Sequence, residues 1–273
     1  MSTPLVSVIV PTRNSAEFLE ACLKSIQDQT YKNIELIVVD RDSTDDTKAI
    51  AHRFTSHVFN HGPERSAQVN FGVTKAKGEY VYKVDSDFVL DPMVIEECVA
   101  RAAEGYDAVV VHNTPDERVS WIAKIRKFEV DMYKYDITHS SARFVRKEVY
   151  EAIGGFDERI TAGEDYDFQN KLNRHNYKTG FVDAEALHLG EPKKLIPHLK
   201  KYYAYGRDFT HYASANKEES RKQLSFARSI FFRHAGDFLR HPGLALAFLT
   251  YNFLKYGFGG FGFVSARMHR AHT

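Results

Sequence analysis

The chain has 273 residues, 43% of them hydrophobic and 27% charged, with 37 Lys and Arg against 36 Asp and Glu. This fits one large α/β domain with at most a modest appendage, and it excludes a disordered, collagen-like or polytopic membrane chain. A net charge of +1 gives no overall pull toward nucleic acid. The two cysteines, Cys22 and Cys98, are too few for a disulfide framework and predict a reducing compartment. The opening MSTPLVSVIVPT lacks the basic region and long apolar run of an export signal, and reads as a buried first strand.

The first half alternates strand and helix. Apolar runs predict strands over 5–10, 34–40, 57–60, 80–85 and 108–112. The spacing of Phe18, Leu19, Cys22, Leu23 and Ile26 predicts a helix over 16–29. Ser43-Thr44-Asp45-Asp46 is a start signal for a helix over 47–54. A further helix is predicted over 64–76, and Asp91-Pro92 opens the next. Such alternation implies right-handed crossovers and a mostly parallel sheet, with ligands bound beyond the carboxyl ends of the strands. Asp40 and Asp85 stand at two such ends. The second half is less regular. Helices are predicted over 119–135, 164–173, 195–213, 220–240 and 244–258, and strands over 143–146 and 178–182, with a break at Gly154-Gly155.

Three acidic segments carry chemistry. Asp85-Ser86-Asp87 leaves a strand and sets two carboxylates where they can face one hard cation, Mg²⁺ or Mn²⁺. The same spacing also suits a solvated acidic turn. Asp40 can accept a hydrogen bond from a base edge or ribose, or cap the next helix. Glu164-Asp165-Tyr166-Asp167 falls at a helix start, where the dipole favours ionised carboxylates and one near a sugar hydroxyl can act as general base. Dipole complementation alone also explains an acidic first turn.

Together, VSVIVPTRNSAEFLEACLKSIQDQTYKNIELIVVD, STDDT, GEYVYKVDSDF and GGFDERITAGEDYDF resemble a family 2 glycosyltransferase over about two-thirds of the chain. The resemblance implies a GT-A fold, a Rossmann-like, mostly parallel α/β sheet over 1–190; the tail's own pattern predicts a helical, basic and aromatic extension over 191–273. It implies an inverting enzyme that uses a UDP- or GDP-sugar with Mn²⁺ or Mg²⁺. Pro11 and Asp40 match residues beside the nucleotide, and Arg65 and Asn70 lie where the family lines that pocket. Asp85 and Asp87 match the metal motif, Asp87 as the direct ligand. Asp165 matches the catalytic base, with Glu164 beside it. His188 falls where relatives place a histidine near the metal, and Arg207 resembles a cation that meets the leaving diphosphate. The segment Asp40-Arg41-Asp42 departs from the family's Asp-Asp-Gly, so the base-side carboxylate is Asp40 or Asp42, and Arg41 is open to a phosphate or ribose contact.

From Lys217 onward there are nine Lys and Arg, three Asp and Glu, and eleven Phe and Tyr. Ala227, Ile230, Phe231, Ala235 and Phe238 form an apolar helical stripe. The stretch 243–264 is long enough to span a bilayer, but Asn252, Lys255 and four glycines from Gly257 to Gly262 count against it. Helices lying on an anionic membrane surface are expected instead, beside a glycan or polyprenyl-linked acceptor on the cytoplasmic face. The helix over 119–135 is acceptor-facing, membrane-facing or plain core. Two alternatives are a non-catalytic membrane-surface protein on the same scaffold and a sugar-nucleotide nucleotidyltransferase. The second would need a Gly-rich loop where Pro11-Thr12-Arg13-Asn14-Ser15 stands. Nucleic acid is not an expected partner.

Overall fold

The computed structural model describes residues 3–223, 225 and 228–271. Its strands are β1 (Val6–Thr12), β2 (Ile34–Asp40), β3 (Val58–Asn60), β4 (Tyr80–Lys83), β5 (Phe88–Leu90), β6 (Ala108–Pro115), β7 (Phe144–Arg146) and β8 (Thr179–His188). Its first helices are α1 (Ala16–Gln27), α2 (Thr47–His52), α3 (Arg65–Lys75), α4 (Val94–Ala103), α5 (Trp121–Asp131), α6 (Lys147–Ala152) and α7 (Glu164–Arg174). The later ones are α8 (Leu195–Ala215), α9 (Lys217–Gln223), α10 (Ser229–Arg233), α11 (Ala235–Arg240) and α12 (Pro242–Ala271). They form two compact units, one of Met1–Asn113, Ser141–Glu158 and Asp165–Gly190, the other of Thr114–Ser140, Arg159–Glu164 and Glu191–Thr273.

The first unit is built on one sheet of order β3-β2-β1-β4-β7-β6-β8-β5. β1 is buried along its whole length and pairs in parallel with β2 and β4, and β2 pairs in parallel with β3. This is the parallel half expected from βα alternation. The other half differs: β7 runs antiparallel to both β4 and β6, and β5 antiparallel to β8. The connection from β6 to β7 carries α5, which belongs to the second unit, and β7 runs back antiparallel beside β6. Leu19, Cys22, Leu23 and Ile26 of α1 recur at helical spacing and pack with Val6, Val8 and Val10 of β1 and Ile95 and Cys98 of α4. Both cysteines are free and buried.

Several element bounds differ from the sequence reading. β5 and α6 are additions too short for a periodic signal. α4 begins at Val94, because the Asp91 carboxylate turns the chain by accepting from the Met93 N–H at 3.0 Å. β8 runs on to His188. The helix expected over 220–240 is divided into α9, α10 and α11, with His234 ending one helix and opening the next. Ala227 lies outside the described residues.

In the second unit Ile122, Ile125, Met132 and Tyr133, from α5 and the turn that follows it, pack against Ile230, Phe248 and Tyr251. That segment is therefore core to the helical unit. α12 closes on α8 at Gly262 and at Gly206 of α8. A Cβ on Gly262 would lie 2.0 Å from the Tyr203 carbonyl oxygen, and one on Gly206 would lie 1.9 Å from that of Gly259. Among the described residues no helix is long and apolar enough to cross a membrane.

Candidate active site

The carboxyl ends of β1 and β2 are laced together. Asp40, 1% exposed, accepts from Thr12 Oγ1 at 3.0 Å and from the Ser43 N–H at 2.9 Å, and bonds the Ser43 hydroxyl as well. The backbone N–H groups of Asn14 and Ser15 donate to Ser43 Oγ and Thr47 Oγ1, each at 2.7 Å. Asp40 is thus occupied in shaping the loop; it does not cap α2, whose N-cap is Asp46. Asp42, exposed and held at a φ of 47° with its carboxylate on Asn60, is the open carboxylate of the pair. Arg41 turns instead to the loop before α3, bonding the Pro63 carbonyl and lying 2.9 Å from Glu64. Pro11 is buried within β1.

Next to this rim is a closed ring of charge. Lys83, the last residue of β4, donates from Nζ to Asp165 Oδ1 at 2.7 Å and lies 4.0 Å from Asp85 Oδ1. Arg143 donates to Asp85 Oδ2 at 2.5 Å and to Asp165 Oδ2 at 3.4 Å. Arg65, at the start of α3, approaches Asp85 Oδ1 at 3.6 Å. Burial alone would raise both carboxyl pKa values. Lys83, Arg143 and Arg65 outweigh it, holding Asp85 well below the usual range and Asp165 at about 2. Both are therefore ionised at neutral pH.

Asp87 meets His188 on the other side of Ser86, with Oδ2 and Nε2 3.1 Å apart. The β5–β8 register brings them together by setting Phe88 opposite His188. A Cβ on Gly190 would lie 2.3 Å from Asp87 Oδ2 and 3.2 Å from His188 Nε2, so only glycine leaves this cradle open. Among the described residues no group of three His, Cys, Asp or Glu is placed to hold a metal. One carboxylate and one imidazole nevertheless fit Mn²⁺ or Mg²⁺, which commonly take few protein ligands and complete their shell with water and substrate phosphate. Asp85 fits less well as a direct ligand, since three cations face it, although its Oδ1 is buried without a hydrogen bond.

The Asn70 amide is fully engaged within the chain. It accepts from Tyr150 Oη and the Phe156 N–H and donates to the Phe156 carbonyl and Glu158, so it secures the loop of Gly155 rather than facing a ligand. Glu164 is buried in the second unit, and Arg207 is exposed there on α8. Lys83 and Arg143 went unnoticed in the sequence. The available signal was a lysine inside the apolar run Tyr80-Val81-Tyr82-Lys83-Val84.

Residues 7–154 match the family model described as Glycosyl transferase family 2. The chain belongs to that family. It is 38% identical to glycosyltransferase GlyG of Streptococcus pneumoniae over 117 residues, which are 40% of this chain and 38% of GlyG. It is 36% identical over 113 residues to the GalNAc(5)-diNAcBac-PP-undecaprenol beta-1,3-glucosyltransferase of Campylobacter jejuni, covering 38% of this chain and 36% of that one. The matches thus span well under two-thirds of either relative. Among solved structures, mannosyltransferase PcManGT of Pyrobaculum calidifontis, in complex with GDP-Man and Mn²⁺, superposes with a TM-score of 0.62 at 20% identity, covering 98% of this chain and 76% of that one. At that identity the likeness shows the fold, which is GT-A. The family match ends before Asp165 and His188, so their assignment rests on the geometry above.

Proposed function

We propose that this chain is an inverting glycosyltransferase that moves a sugar from a nucleoside-diphosphate sugar to an acceptor hydroxyl, with Asp165 as general base. The observation that carries this reading is the ring of Lys83, Asp85, Arg143 and Asp165 beyond the carboxyl ends of the parallel strands, next to the Asp87–His188 pair. An ionised carboxylate within reach of a hydroxyl takes its proton as the oxygen attacks the anomeric carbon. The displacement is direct and inverts configuration. Pro11 and Asp42 border the base, the Asp40 carboxylate sets that loop, and Arg65 meets the diphosphate. A divalent cation held by Asp87 and His188 would offset charge on the departing diphosphate. PcManGT, in complex with GDP-Man and Mn²⁺, supports a nucleotide-sugar donor and a metal.

The acceptor is a glycan or polyprenyl-linked sugar at an anionic membrane surface, on the cytoplasmic side. Four observations support this. Leu246, Leu249, Phe253, Phe261, Val264 and Met268 recur along one exposed face of α12, and Phe232 and Leu239 are more than three-quarters exposed. No Asp or Glu follows Asp237, so the flanking charge is basic. The Campylobacter relative is named for an undecaprenol-linked substrate. The free cysteines suit a reducing compartment.

The test is a thermal-shift screen of UDP-GlcNAc and GDP-mannose with and without Mn²⁺, paired with turnover. A ligand that binds only the folded chain raises the midpoint by mass action. A metal-dependent shift with one donor is expected, and Asp165→Asn should keep it while losing ~10²–10⁴-fold in turnover. No shift with either donor, or full activity in Asp165→Asn, overturns the reading.

A further inference from the structure

Lys83 is out of place in its strand. Tyr80, Val81, Tyr82 and Val84 around it are all buried and uncharged, and Lys83 itself is 4% exposed. An unpaired ammonium there is costly. Its stem passes a small cavity lined by Val69, Val73, Val81, Phe156 and Phe168, and Nζ lies 5.1 Å from the centre of the Phe156 ring.

The two carboxylates it faces are served unequally. Arg143 already holds Asp85, at 2.5 Å, and reaches Asp165 Oδ2 only at 3.4 Å. Lys83 is 4.0 Å from Asp85 but 2.7 Å from Asp165 Oδ1. The short, charge-assisted bond therefore fixes one oxygen of Asp165 and leaves the other weakly engaged. The Asp165 backbone is fixed as well, because Ser141 Oγ donates to its carbonyl at 2.7 Å.

We propose that Lys83 is a positioning residue for glycosyl transfer: it clamps Oδ1 of Asp165 so that Oδ2 is presented to the acceptor hydroxyl. This rests on Asp165 being the base. The acceptor proton passes to Oδ2 while the new oxygen–carbon bond forms. The bond from the anomeric carbon to the diphosphate breaks, and its electron pair leaves with the nucleoside diphosphate. Lys83 stays protonated throughout and keeps its bond to Oδ1.

A double-mutant cycle on the full chain tests this. Nucleoside diphosphate release is followed from UDP-GlcNAc or GDP-mannose with Mn²⁺, whichever donor shifts the melting midpoint. Misplacing a reacting group by about 1 Å costs ~10²-fold, so Lys83→Met should lower kcat by about that much with the donor KM unchanged. In the Asp165→Asn background the same substitution should cost no more than about threefold, because the group it positions is gone. Lys83→Gln, which keeps an N–H donor, should retain more kcat than Lys83→Met, and it carries the same cycle if the methionine variant does not fold. A wild-type kcat in Lys83→Met, a raised donor KM at intact kcat, or an undiminished loss in the Asp165→Asn background overturns the proposal. Wild-type turnover by Asp165→Asn alone would remove the base itself, and that is seen without any Lys83 variant.

Discussion

Lys255→Met should destabilise the helical unit by leaving one buried charge behind. Lys255 of α12 donates from Nζ to both carboxylate oxygens of Glu129 on α5, each at 2.7 Å, and the two side chains are 10% and 8% exposed. At that distance and an effective dielectric of about 20, the attraction is about 6 kcal/mol, most of it offset by desolvation of the two ions. Burial pushes the Glu129 pKa up, and Lys255, with help from Arg228 and the Tyr133 hydroxyl, more than reverses this. Without Lys255, Glu129 keeps the Tyr133 hydroxyl at 3.0 Å and the more distant Arg228. The loss should therefore fall at the low end for a broken buried pair, about 3 kcal/mol. At roughly 2–4 °C per kcal/mol this is a fall in Tm of about 6–12 °C, read by circular dichroism at pH 7. The sign with pH is fixed too. Losing Lys255 raises the folded Glu129 pKa relative to wild type, so the variant's penalty is smallest where Glu129 is protonated and grows as pH rises. Adding Glu129→Leu should recover part of the loss, because the stranded carboxylate is gone while Arg228 loses a nearby negative charge. A Tm within about 2 °C of wild type, or a double variant as unstable as the single one, would refute the reasoning.

Two further outcomes are expected. Gly190→Ala places a Cβ 2.3 Å from Asp87 Oδ2, so the Mn²⁺-dependent part of a UDP thermal shift should vanish while the metal-free part persists; an unchanged manganese dependence would show that Asp87 and His188 hold no cation. The full chain should float with vesicles rich in phosphatidylglycerol. Phe253→Asp, an exposed site on α12, should weaken this without lowering Tm, whereas a wild-type chain that stays soluble beside those vesicles counts against the membrane reading.

Local pattern made much of the catalytic half legible. The apolar runs that became β1, β2 and β4 needed no partner to be recognised, because strand period and bounding turn residues are properties of neighbouring positions. The carboxylates Asp40 and Asp85 could be placed at strand ends for the same reason. Asp40 and Asn70 show the limit of such reading. Each was matched to the nucleotide pocket, but a side chain's hydrogen-bonding capacity is claimed by whatever folds against it. Ser43 and Thr12 claim Asp40, and Tyr150, Phe156 and Glu158 claim Asn70.

The amino-acid order thus specifies the alternating elements, the acidic motifs and the basic, aromatic end of the chain, all of which depend on residues close in sequence. Folding alone decides which distant residues meet. His188 reaches Asp87 across 101 positions because β8 pairs antiparallel with β5, and a three-residue strand has no periodicity to announce itself. Lys83 becomes the partner of Asp165 only when α7 settles over the end of β4, 82 positions away. Gly262, one of the glycines that count against a membrane span, instead lets α12 meet α8 backbone to backbone, as does Gly206 on α8. Propensity and pattern act over a few residues, whereas pairing, burial and charge balance are settled between elements, so the chemistry of the site is a property of the fold.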